Sequence, residues 1–186
     1  MLEKVKQAMA VLSPEYMNNV EYAAKGYHLD VKVAPEQVVE AATILDKEKF
    51  TLEAVTGVDW LGEKAEALKA AQLAAKKAAE AAAAEGGEGA AAPAAAEVPQ
   101  EPAEDELEVV YDYSHVDALC RVVVRARMPR SNPAVPTISK VYPGANWHER
   151  ETHDFFGIYF EGHPNLCPLL LPEDADFHPL LKDFKA

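Results

Sequence analysis

The chain has 186 residues, with 18 lysines and arginines against 31 aspartates and glutamates, giving a formal net charge of -13. Hydrophobic residues make up 49%, enough for a core in one ordinary domain or two small ones and too many for wholesale disorder. The negative balance argues against a protein that grips nucleic acid or anionic lipid through its overall field. Cys120 and Cys167 are the only cysteines, so they supply neither a four-thiolate zinc or iron–sulfur site nor a disulfide framework. The N-terminus, MLEKVKQAMA, is charged and periodic where a signal peptide has an unbroken apolar run. No stretch approaches the ~20 apolar residues of a membrane span. These features predict a soluble, cytoplasmic chain.

Leu2, Val5, Met9 and Leu12 recur at helical spacing. Ser13-Pro14-Glu15 predicts an N-cap with proline at the first position of a second helix, stopped by Gly26. Leu29, Val31 and Val33 alternate with His28, Asp30 and Lys32, the pattern of a half-buried strand. Pro35 opens a helix carrying Val38, Ala41, Ala42 and Leu45. A further strand runs from about Thr51 to Asp59, with Trp60 and Gly62 beyond it.

Composition divides the chain into residues 1–62, 63–106 and 107–186. Alanine fills 18 of the 32 positions from 65 to 96, and residues 63–106 hold ten acidic and four basic side chains, a net of -6. The first half of this segment is a strong helix former with almost no large apolar face. The second half, broken by glycine and proline, reads as linker. The segment is expected to be a solvated insertion in a surface loop, which loop-closure entropy tolerates.

Beyond the insertion, Leu107, Val109, Tyr111 and Tyr113 form one face of a strand. Cys120, Val122, Val124 and Ala126 form one face of the next, with Arg121, Arg125 and Arg127 opposite, and the connection has hairpin length. A Pro-rich stretch (Pro129, Pro133, Pro136) leads to one more helix and an extended C-terminal tail. The expected fold is α+β, with a mainly antiparallel four-stranded sheet and helices packed on one face.

Chemistry, if any, lies in the last forty-odd residues. Asn146 through Phe156 has helical character, ended by Gly157, and a 3.6-residue period places Trp147, Glu151, Asp154, Phe155 and Ile158 on one face. Two carboxylates on an aromatic stripe need partners. Arg150, four before Asp154, is within reach of it, and strand arginines offer themselves to Glu151. A structural charge network and a charged surface for a protein partner both fit. His148, Glu149 and His153 raise a metal site, but histidines five apart lie about 140° around a helix, where the zinc-protease pattern needs four. His163, Cys167 and His178 match no metal spacing, and no nucleophile elbow surrounds Cys167. A metal-dependent enzyme is therefore only a remote alternative.

Glu149-Arg150-Glu151, Asp154, Phe155-Phe156-Gly157-Ile158, Phe160, Gly162-His163-Pro164, Leu166 and Leu169-Leu170-Leu171-Pro172-Glu173-Asp174 resemble the signature of the 30-kDa subunit family of respiratory complex I, the C subunit of NADH–quinone oxidoreductase. His178-Pro179-Leu180 with Lys182-Asp183-Phe184 is similar to that family's closing segment, and Thr56-Gly57-Val58-Asp59-Trp60 to part of its sheet. The resemblance implies a cofactor-free structural subunit of the peripheral arm, with iron–sulfur clusters, flavin or a nickel–iron centre held by partner subunits. The implied partners are the large quinone-site or hydrogenase-like subunit and a neighbouring iron–sulfur subunit. Membrane contact is then indirect, on the inner face of the cell membrane. Glu149, Arg150, Glu151, Asp154, Gly157, His163 and Pro164 match the signature and are expected to serve partner interface and tail positioning, with no catalytic role. Cys167-Pro168 stands where the family usually has basic residues. The compact body is also similar to the small subunit of energy-converting membrane-bound nickel–iron hydrogenases, which is the alternative assembly.

Overall fold

A computed structural model describes residues 1–84 and 104–185. It divides into two units, Met1–Asp59 with Glu106–Ala186, and Trp60–Asp105. In the second unit the Ala-rich sequence forms one helix, Glu63–Ala84, as its intrinsic propensity dictates. The Gly62 N–H donates to Asp105 Oδ1 at 2.9 Å and Lys64 Nζ to the Glu104 carbonyl at 2.8 Å, joining the segment's two ends. Most of the Gly- and Pro-broken half, read above as linker, lies outside the described residues.

The first unit opens with α1 (Leu2–Met9) and a 3-10 turn, Ala10–Leu12, which bury Val5, Met9 and Leu12. The helix predicted from Ser13 does not form. Ser13 takes a left-handed conformation (φ 48°) and closes the preceding turn, and the Glu15 N–H donates to the Lys32 carbonyl at 2.8 Å. The chain after Pro14 is thereby recruited as a strand, β1 (Tyr16–Asn19). Only a four-residue helix, α2 (Tyr22–Lys25), precedes Gly26, which caps it at φ 78°.

Strand β2 (Leu29–Val33), helix α3 (Val38–Lys47) and strand β3 (Thr51–Asp59) follow. After the second unit come β4 (Glu106–His115) and β5 (Cys120–Pro129). The sheet has five strands in the order β1-β2-β5-β4-β3, not the expected four. It is mixed, because β2 runs parallel to β5, pairing Leu29 with Val122 and Val33 with Ala126. The other pairings are antiparallel, including β3 with β4 across the insertion. Two short strands, β6 (Ala134–Pro136) and β7 (Tyr159–Glu161), pair in parallel on either side of α5 (Ala145–Phe156).

Alternation along the strands puts Leu29, Val31, Val33, Val109, Tyr111, Tyr113, Val122 and Val124 on one face, where they form one core with Val5, Met9, Val38 and Leu45. Burial of these side chains is the main stabilising term. Helix α5 packs on β3, and the Thr152 hydroxyl donates to the Val55 carbonyl at 3.2 Å. Gly57 permits that approach, since a Cβ there would lie 2.4 Å from the Phe156 ring. The opposite face carries the strand arginines. Arg125 reaches Asp30 at 2.9 Å and Glu108 at 3.3 Å, and Arg127 reaches Glu108 at 3.2 Å. Glu108 is buried and tolerates burial because two guanidinium groups face it.

Candidate partner interface

The signature residues project from α5 in two directions. Ala145, Glu149, Thr152 and Asp154 are its buried residues. Trp147, placed by periodicity on the apolar stripe, is instead 65% exposed. The inward stripe is small and polar because β3 approaches closely on one side and the tail crosses on the other.

Glu149 is fully buried. Its Oε1 accepts the Ile138 N–H at 2.8 Å and its Oε2 accepts the Thr137 hydroxyl at 2.5 Å. Burial pushes its carboxyl up to about 7 against the pull of these two bonds. His163 brings Nε2 to 3.8 Å from Glu149 Oε2. Its Nδ1 accepts the Asn165 N–H at 3.1 Å, so Nε2 carries the proton and donates to the Asn146 carbonyl at 3.2 Å. Burial lowers the imidazole's pKa, and the neighbouring charges of Arg150 and His153 act in the same sense. Together these bonds fasten the Gly162–Asn165 turn and the chain before Ser139 to α5, with Pro164 exposed in that turn.

Asp154 does not pair with Arg150. Its Oδ2 accepts the backbone N–H groups of Leu169 and Leu170 at 2.8 Å each and of Leu171 at 3.3 Å. Arg150 turns to the chain just before them, donating from Nε to the Cys167 carbonyl and from Nη2 to the Pro168 carbonyl, each at 2.9 Å. Cys167-Pro168 is thus a contact of the helix, and the Cys167 side chain is exposed. Gly157 ends α5 at φ 71°, and a Cβ there would lie 2.7 Å from the His178 ring. His178 Nδ1 donates to the Asp154 carbonyl at 2.8 Å.

Further along, Asp59 at the end of β3 accepts the Lys182 N–H at 2.8 Å and pairs with Arg130 at 3.3 Å. Arg130 also grips Asp183, and this bond holds the Asp183 carboxyl below its usual range. Sequence reasoning did not assign Asp59, Arg130 or His178 to tail positioning. The Asp59–Lys182 contact spans 123 positions and leaves no local pattern to find.

The tail therefore lies against α5 along its length and turns Leu170, Phe177, Leu180 and Phe184 partly outward, with Tyr159 of β7 also exposed. Glu151 is the exception among the charged signature residues of α5. Strand arginines do not reach it, being engaged with Asp112, Asp30, Glu106 and Glu108. It lines a groove of about 310 Å³ between α5 and β3, beside His148, Phe155 and Leu180. Among the described residues no group of three or more His, Cys, Asp or Glu side chains is placed to hold a metal ion. None of the described helices is long and apolar enough to cross a membrane.

Residues 31–186 match the family described as respiratory-chain NADH dehydrogenase, 30 Kd subunit. The chain is 33% identical to the C subunit of the NADH-quinone oxidoreductase of Roseiflexus castenholzii over 159 residues, 83% of this chain and 68% of that protein. It is 44% identical over 85 residues to the C subunit of the F(420)H(2) dehydrogenase of Methanosarcina mazei, covering 45% of this chain and 54% of that protein. The match thus spans about half the length of the latter relative. In fold it resembles a chain of the membrane-bound sulfane sulfur reductase, an archaeal respiratory membrane complex, with a TM-score of 0.64 and 23% identity over 99% of this chain and 85% of that one.

Proposed function

From the premise that the chain belongs to the family of the 30 Kd subunit of respiratory-chain NADH dehydrogenase, we propose that it is a structural and assembly subunit of the peripheral arm of an NADH–quinone oxidoreductase. It packs on the large quinone-site subunit, beside an iron–sulfur subunit, and meets the inner face of the membrane through the rest of the complex. The redox centres belong to those partners. The observation that carries this reading is the match to the C subunit of an NADH-quinone oxidoreductase over 83% of the chain.

The geometry supports a scaffolding role. Glu149, Arg150, Asp154 and His163 are spent on holding the tail and the loops around α5. Fixing the tail before docking reduces the ordering cost of association and leaves Leu170, Phe177, Leu180 and Phe184 exposed to a partner. A second reading, the same role in an assembly fed by a donor other than NADH, draws on the 44% identity to the C subunit of the F(420)H(2) dehydrogenase.

Membranes from cells lacking the chain test the proposal. They are expected to lose NADH-driven quinone reduction and to regain it when the chain is resupplied. Loss of F420-driven activity alone would favour the second reading, and retention of both activities would contradict the role.

A further inference from the structure

We propose that the groove between α5 and β3 receives an arginine-bearing extended segment of the partner subunit, its guanidinium bound between Glu151 and Trp147. The inference rests on the subunit role proposed above and names the chemistry of one contact. Glu149, Arg150 and Asp154 all have partners within the chain, whereas Glu151 has neither hydrogen bond nor ion pair among the described residues. Its nearest cation in sequence, Arg150, is committed to the Cys167 and Pro168 carbonyls. A half-buried carboxylate in a groove lined largely by apolar residues is costly to desolvate further without a cation.

Trp147 stands four residues before Glu151, so the two side chains are neighbours on one helix face. A tryptophan 65% exposed, one helical turn from a carboxylate with no partner among the described residues, offers a ring face just outside the groove and two acceptor oxygens within it. A planar guanidinium satisfies both, by stacking and by paired hydrogen bonds, where an ammonium engages them as a point charge. The shape of the groove favours an extended occupant. One wall is β3, the end strand of the sheet, whose only strand partner there is β4 and whose Val55 carbonyl takes the Thr152 hydroxyl of α5, and the other includes His148, Phe155 and Leu180. End strands are natural neighbours for an extended chain.

The test uses the full chain, tagged and expressed in its native host with Glu151→Lys, Glu151→Gln or Trp147→Ala, and purified from membranes in mild detergent beside the wild type. The large subunit recovered with each is quantified by mass spectrometry. Charge reversal is expected to lower recovery about tenfold or more, and the Trp147 change several-fold, as for central aromatic and charged contacts. Melting temperatures of the isolated variants should match the wild type, because Glu151 has no hydrogen bond or ion pair among the described residues. Raising ionic strength should strip the large subunit from the wild type more readily than from Glu151→Gln. Wild-type recovery with Glu151→Lys overturns the inference and leaves the subunit role standing. Failure of the wild-type chain itself to recover a large subunit overturns the subunit role instead.

Discussion

The Asp154 carboxylate on α5 and the backbone of Leu169 meet at 2.8 Å, in a chain segment fifteen residues further on. One oxygen also takes the N–H groups of Leu170 and Leu171, so a single buried side chain orders three successive residues of the tail. No regular secondary structure would otherwise satisfy those donors. Asp154→Asn keeps the shape but loses the charge and turns one face of the group into a donor. The expected cost is on the order of 3 kcal/mol, from weakened charge-assisted bonds and newly unpaired N–H groups. Urea denaturation measures the loss, and limited proteolysis should show faster cleavage between residues 166 and 172. Unchanged stability and unchanged cleavage would contradict this account of the tail.

Glu149 gives stability a pH dependence of definite sign. Its folded pKa of about 7 lies above the ordinary 4.5, so the folded chain keeps a proton that the unfolded chain releases. The stabilisation is complete below about pH 4.5 and is lost as pH rises through about 7, at ~1.4 kcal/mol for each tenfold difference in proton affinity between the two states. His163 acts oppositely, since its lowered pKa contributes stability present above 6.5 and lost as pH falls through the folded value. Glu149→Gln removes the carboxyl contribution. The melting temperature of the wild type relative to this variant should fall between pH 4.5 and 7 and level off above. A difference that stays flat across that range would refute the assignment.

Gly57 sets the distance between β3 and α5. Gly57→Ala would place a methyl 2.4 Å from Phe156 Cδ2, forcing ring or helix to shift at a cost of about 1–3 kcal/mol. Adding Phe156→Leu should recover part of that loss, as a double-mutant cycle of urea midpoints would show. Purely additive losses would mean that the contact does not limit the packing.

Much of this architecture was legible as periodicity. Residues alternating from Leu29 to Val33, Leu107 to Tyr113 and Cys120 to Ala126 form strands, and the segments carrying Val38–Leu45 and Asn146–Phe156 form helices. Strand β1 was not legible, because Tyr16–Asn19 shows no alternation and Ser13-Pro14 carries a good helix-start signal. A tertiary bond from Glu15 to Lys32 outweighed that local preference. The parallel pairing of β2 with β5 joins residues more than ninety positions apart and has no short-range signature. In α5 the helix was legible but the partners of its side chains were not. Asp154 and Arg150 bind backbone groups of the tail, and backbone partners leave no trace in residue identity. The arginine four positions from an aspartate suggested a pair that the fold does not use.

Affinity purification of the tagged full chain from native membranes in mild detergent, with every co-purifying subunit identified by mass spectrometry, tests the subunit role itself. The proposed subunit role predicts recovery of a large quinone-site subunit together with flavin- and iron–sulfur-binding subunits. A nickel-containing large subunit in the eluate would instead assign the chain to a hydrogenase. Recovery of the chain alone would contradict its role as a subunit of a redox complex.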